Sequence, residues 1–191
     1  MTAPDESLIV KKLPMLRQGK LAIVDFVPDV KYGITGPCGI FAISVWPTDD
    51  SHPDCEACAN DYHHLLHKTL LLTLAEACSE YLDSLLRKAI HRNDIKIVKP
   101  AAGYSCCPDH SLKKDILALL PDSNRLGIRL TETFSMIPDA SICGFIFAHP
   151  SATYPEIRKI SKAQYDKYIQ ARGMSDEQAK ALLGNLLANE D

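Results

Sequence analysis

Apolar and polar positions change their period several times along the chain, and each change predicts an element. The run LAIVDFV, 21–27, is rich in β-branched and aromatic residues and ends at Pro28, which predicts a strand. CGIFAISVW, 38–46, predicts a second strand. The turn-forming residues of VPDVKYGITGP between the two predict an open hairpin. PTDDSHPD, 47–54, is a loop that ends in good helix N-cap residues. From Asp54 to Ile90 neither Gly nor Pro occurs. Leu66, Leu70, Leu74, Ala77, Tyr81 and Leu85 then fall on one helical stripe, which predicts a long helix with that stripe against the core. Leu65 and Leu72 lie on nearly the opposite side, beside Glu76, so the helix is expected to be covered on two sides.

Beyond this helix, VKPAAGYSCCPDH, 98–110, reads as a loop through its prolines and glycine, and Ser111 to Leu120 as a short amphipathic helix. GIRLTETFSMI, 127–137, and SICGFIFAH, 141–149, alternate as strands around Pro138-Asp139 and predict a hairpin. The tail predicts two helices. Ser161 with Gln164 and Ser175 with Gln178 form capping boxes, and Gly173 and Gly184 are the stops. Strands, one long helix, a hairpin and then helices predict an α+β fold with an antiparallel sheet. Residues 1–19 read as a lead-in and 20–191 as the domain.

Composition narrows the class. The 191 residues are 46% hydrophobic and 24% charged, which is globular, with a formal net charge of -3 and no basic block. Nucleic-acid binding is therefore not expected. No apolar run is long enough to span a membrane, and the N-terminus does not read as a signal peptide. Seven unevenly spaced cysteines then predict reduced thiols and a cytoplasmic protein.

The chemical candidates are the cysteines, the histidines and the 98–110 loop. Cys55-x-x-Cys58, with His52 before and His63-His64 after, has zinc-like residue types, but no second pair completes a tetrahedral set. Thiols at a helix start are the plainer reading, and the thioredoxin-like context for a redox pair is missing. Cys106-Cys107 beside Pro108 read as small buried side chains of a tight loop, and His110 as a hydrogen-bonding anchor of that loop. His63 and His67 have chelating spacing but no identifiable third ligand, so half-buried histidines are expected. No metal site is predicted. No P-loop, GxSxG or GxGxxG occurs.

The order of the motifs goes further. PAAGYSCCPDHSLKKDILALL, GIRLTETFSMIPDASICGFIFAHP and ARGMSDEQAKALLGNL resemble the C-terminal activation domain of cobalamin-dependent methionine synthase. That family carries an R-P-A-x-G-Y-P-x-C-P-x-H loop, an L-T-E-S-x-x-M-x-P-x-x-S-V-x-G hairpin, an S-H-P turn and a final K-G-M-S helix. LAIVDFV, GIFAISV and DYHHLLHKTLLLTLAEACSEYLDSLLRK resemble its strand pair and long helix, so the likeness runs over about residues 20–187. It implies a single α+β domain with a bent antiparallel sheet, a long helix and flanking helices, and an S-adenosylmethionine (AdoMet) site in which Lys99, Ala101, Gly103, Tyr104, Glu76 and Tyr154 hold the ligand, with no catalytic residue of the chain's own. Lys99 stands where the family has arginine, and Pro155 where it has a second aromatic residue. The segment that precedes the first strand in the family has no counterpart, so a free-standing, shortened version is expected. The resemblance implies a component of methyltransferase activity rather than a complete enzyme. Cobalamin would be reached only through a partner, a methionine synthase lacking its own activation domain, and the electron would come from a flavodoxin-type donor. The alternative is a non-catalytic module that keeps the fold but binds another small molecule or a corrinoid protein.

Overall fold

The computed structural model describes residues 11–29, 38–47 and 61–188. Cys55, Cys58 and His52 lie outside them. At its centre is a three-stranded antiparallel sheet of β1 (Cys38–Ser44), β5 (Ser141–His149) and β2 (Lys96–Val98), in the order β1-β5-β2. β5 runs along the whole of β1, from Cys38 opposite Phe147 to Ser44 opposite Ser141. Its last three residues pair with β2. The helices are α1 (Asp61–Ile90), α2 (Leu112–Leu119), α3 (Lys162–Arg172) and α4 (Asp176–Leu183). The fold is α+β, as the residue pattern predicts.

Alternation along β5 sends Cys143, Phe145 and Phe147 into a core shared with Ile23, Phe26, Val98, Leu112 and Ile116. A second apolar cluster holds the tail. Leu16, Ile157 and Ile160 pack there against Tyr165 and Tyr168 of α3 and Ala179 and Leu183 of α4. Both tail helices begin as their sequences dictate: Ser161 and Ser175 accept from the Gln164 and Gln178 N–H groups at 3.3 and 3.2 Å. Gly173, at φ +64°, ends α3 in the left-handed conformation that glycine adopts most readily.

Three expectations are corrected. Residues 21–27 are not a strand: Ile23–Phe26 is a single 3-10 turn, so the hairpin with β1 does not form. The Asp25 carboxylate accepts the Ala22 N–H at 2.9 Å and also binds Arg17. Ala22, Ile23 and Phe26, at turn-like spacing, are buried together. A short acid that bonds its own backbone competes with a ladder.

The 127–137 segment does not pair with 141–149. It folds on itself, with β3 (Arg129–Leu130) against β4 (Met136–Ile137). Thr131 donates to the Ser135 carbonyl and accepts from its N–H, closing the bend. A strand has two hydrogen-bonding edges: β1 takes one of β5's, and β2 together with the Pro100 and Ala102 backbone takes the other from His149 back to Cys143.

The third correction concerns α1. Leu66, Leu70, Leu74, Tyr81 and Leu85 are exposed. The side turned inward carries Leu71, Ala75, Ser79, Leu82, Leu86 and Ile90, and α1 contacts β1, β2 and β5. Both stripes have helical period, and the sheet covers the one that carries the small Ala75 and Ser79 at its middle. Cover on two sides is not seen among the described residues. His63 and His67 are exposed rather than half-buried.

Candidate functional site

The 98–110 loop is fixed to the middle of β5. The Phe145 N–H donates to the Pro100 carbonyl and the Ala102 N–H to the Cys143 carbonyl, both at 3.0 Å. Between these bonds lies Gly144. A Cβ there would sit on the Pro100 carbonyl oxygen and 2.7 Å from the Ala101 Cα. Only glycine lets the loop backbone lie this close to the strand. Ala101 is buried at this junction, bridged to Gly144. The loop then closes on itself: the Gly103 N–H reaches the Cys107 carbonyl, and the Cys107 N–H the Tyr104 carbonyl, each at 2.8 Å. Gly103, at φ +98°, has the His110 ring packed where a side chain would be. Cys106 and Cys107 are buried beneath, and burial pushes both thiols above the ordinary range.

Lys99 joins this loop to α1. Its ammonium donates to the Ser79 carbonyl and, at 3.2 Å, to the Ser79 hydroxyl; Asp83 is 3.9 Å away. Burial lowers the Lys99 pKa, while Asp83 and Glu80 of α1 oppose the shift. The Lys99 N–H donates to the Tyr154 hydroxyl at 2.8 Å. Glu76 is exposed, three residues from Ser79 and so on the same side of α1, with no partner among the described residues. Glu76, Glu80 and Asp83, at i, i+4 and i+7, give that side an acidic edge. Tyr104 and Tyr154 are 63% and 53% exposed.

Lys99 and Tyr154 thus meet directly, with Glu76 one turn along the helix. Gly103 and Tyr104 open onto a neighbouring cleft of about 250 Å³, also lined by Ala102, His110, Lys113, Met136 and Ser141. Lys99, Glu76 and Tyr154 do not line it.

Sequence reasoning missed the far support of the loop. Asp109 is 1% exposed and accepts the Tyr168 hydroxyl at 2.8 Å, while Arg172 lies 3.3 Å from it. Arg172 also binds Asp115 at 2.6 Å and the Ser111 hydroxyl at 2.8 Å. Burial disfavours the Asp115 carboxylate, but hydrogen bonds from Lys11 and Arg172 outweigh it and hold Asp115 below its usual pKa. The loop is therefore latched to α3, more than fifty residues away. Lys113 was also missed. The spacing of His110 and Lys113 across a helix start is the one signal that carried it.

Among the described residues no three Cys, His, Asp or Glu side chains form a group suited to a metal ion, and no helix is long and apolar enough to cross a membrane. Over residues 5–173 the sequence matches the family described as vitamin B12 dependent methionine synthase, activation domain. The fold is similar to a crystal structure of the MetH reactivation domain bound to AdoHcy, with a TM-score of 0.78 and 31% sequence identity. The similarity covers 88% of this chain and 56% of that one. The loop anchored on Gly144, the helix that meets it at Lys99 and the capped helix α3 all lie within the matched residues, and the chain belongs to the activation-domain family of vitamin B12 dependent methionine synthase.

Proposed function

We propose that this chain binds S-adenosylmethionine between the 98–104 loop and α1, and supports in trans the reductive methylation of cobalamin held by a partner methionine synthase. The observation that carries the reading is the junction at Lys99, which puts a cation, an unpartnered carboxylate and a tyrosine hydroxyl at one seam. The matched domain, whose crystal structure holds AdoHcy, supports the ligand class.

The residues at the seam fit such a ligand. Glu76 is free to receive its ammonium, and the acidic edge of α1 favours a molecule that also carries a sulfonium. Lys99 meets the carboxylate once its ammonium leaves the Ser79 carbonyl, an exchange of a neutral acceptor for an anionic one. The Tyr154 hydroxyl, already accepting from Lys99, keeps its proton to donate. Ala101 and Gly103 supply loop backbone, and Tyr104 an exposed ring. The bound ligand supplies an electrophilic methyl group, while the corrin and the electron, from a flavodoxin-type donor, come from partner proteins. The docking face is the one that exposes Tyr104 and Tyr154.

Calorimetry with AdoMet tests the binding. Recovery of turnover by an oxidised cobalamin-dependent methionine synthase lacking its activation domain, with AdoMet and a reductant, tests the role in trans. A second reading, a module that keeps the fold without AdoMet, is favoured by one observation: the Lys99 ammonium is already satisfied by α1. Absence of heat at millimolar AdoMet would select that reading.

A further inference from the structure

One buried charge beside the seam meets no carboxylate among the described residues. Lys113 is 6% exposed. Its ammonium donates to the Phe134 carbonyl at 3.0 Å and contacts His110 Nδ1 at 2.9 Å, which leaves one N–H without a described partner. Buried ammonium groups are normally matched by an acid. Lys113 also lies in the first turn of α2, where the helix dipole disfavours a cation. The acid that lines the same cleft, Asp139, is 2.6 Å from Lys68 of α1 at the exposed rim. The thiol of Cys143 faces Lys113 from the sheet, and burial of that thiol raises its pKa to about 11, so it supplies no negative charge near neutral pH. Burial of the His110 ring and the Lys113 charge beside it both lower the histidine pKa, which favours the neutral ring.

A second, separate observation lies in this cleft. The Ser141 hydroxyl oxygen is buried and has no hydrogen-bond partner among the described residues. Buried hydroxyls are rarely left so, and one without a partner calls for an explanation. A spare ammonium proton and a spare hydroxyl in one concave, partly apolar cleft form a donor set for an anion's oxygens. At about 250 Å³ the cleft lies below the roughly 300–1,000 Å³ of sites for drug-sized ligands, which suits a small anion rather than a nucleoside.

We propose that the cleft between Gly103, Tyr104, Lys113 and Ser141 is a binding site for a small free oxyanion of the carboxylate or phosphate class. Lys113 Nζ and Ser141 Oγ hold it; the cleft shares Gly103 and Tyr104 with the proposed AdoMet site, but these anion-holding atoms are separate from the seam at Lys99. The site does not depend on whether the seam takes AdoMet.

The test is an NMR titration of the full chain with sodium phosphate and with sodium acetate at constant ionic strength, following the Lys113 ε-methylene and His110 ring signals. Both signals should shift saturably with at least one of the two anions, and the one that saturates assigns the class. The response should disappear in Lys113→Met, persist in Lys113→Arg and need several-fold more anion in Ser141→Ala. A response no different from sodium chloride, or one that survives Lys113→Met, overturns the proposal. Should Lys113→Met fail to fold, an unchanged midpoint in Ser141→Ala overturns it instead. Displacement of the anion by AdoHcy would overturn its separateness, and an unchanged midpoint with AdoHcy present supports it.

Discussion

Gly144→Ala should detach the ligand loop from the sheet. The added methyl would fall on the Pro100 carbonyl and 2.7 Å from the Ala101 Cα, both backbone atoms that cannot rotate away. Either the loop lifts or β5 bends away from it. Lifting breaks the two 3.0 Å bonds that Phe145 and Ala102 make across the junction. Each such bond is worth about 1 kcal/mol net, and leaving its partners buried and unmatched costs more. Overpacking a well-filled site adds about 1–3 kcal/mol. The expected loss is about 3–5 kcal/mol, a large share of the roughly 5–15 kcal/mol that holds a typical domain folded. Urea unfolding followed by far-UV circular dichroism measures it through the midpoint at unchanged slope. AdoMet calorimetry on the folded fraction should show weaker binding still, since the loop carries Lys99. A variant within about 1 kcal/mol of the parent would refute the reasoning, because it would mean that loop and strand relax apart at little cost.

Lys99→Ala should weaken AdoMet binding by about 1.5–3 kcal/mol in calorimetry if its ammonium exchanges Ser79 for the ligand carboxylate; unchanged affinity removes Lys99 from the site. Arg172→Leu should destabilise the chain by about 3–5 kcal/mol in urea titration, because buried Asp109 loses its cation and half-buried Asp115 keeps only Lys11. Tyr168→Phe should cost about 1.5–3 kcal/mol, the range for a hydrogen bond to a charged group, through the lost bond to Asp109. Asp115 carries the pH dependence. Its folded pKa lies below the ordinary carboxylate value, so its contribution is present in full above that ordinary value and is lost as pH falls through the lower folded one. Asp115→Asn should flatten that acid limb of stability, as read from thermal midpoints between pH 5 and 2.

The sequence by itself determined what local bonding decides. Ser161 and Ser175 close their own helix starts with groups three residues away, and Gly173 ends α3 by its own conformational freedom, so α3 and α4 needed no neighbour to be legible. The loop character of 98–110, the α2 helix and the strand nature of β1 and β5 were legible from turn residues and apolar period, since Ser111 makes no side-chain cap to α2. Pairing and burial were not. β5 has only two edges, and nothing in GIRLTETFSMI says that β1 occupies one and β2 with the Pro100 and Ala102 backbone the other. α1 carries two apolar stripes of the same period, and only the sheet decides which is covered. The candidate site divides along the same line. Gly103 and Tyr104 announce a loop that approaches something closely. That Lys99 finds Ser79, that Asp109 finds Tyr168 and Arg172, and that Lys113 is buried without an acid are facts of the fold. Each depends on side chains that only the folded backbone brings within the few ångströms over which hydrogen bonds and buried charges act.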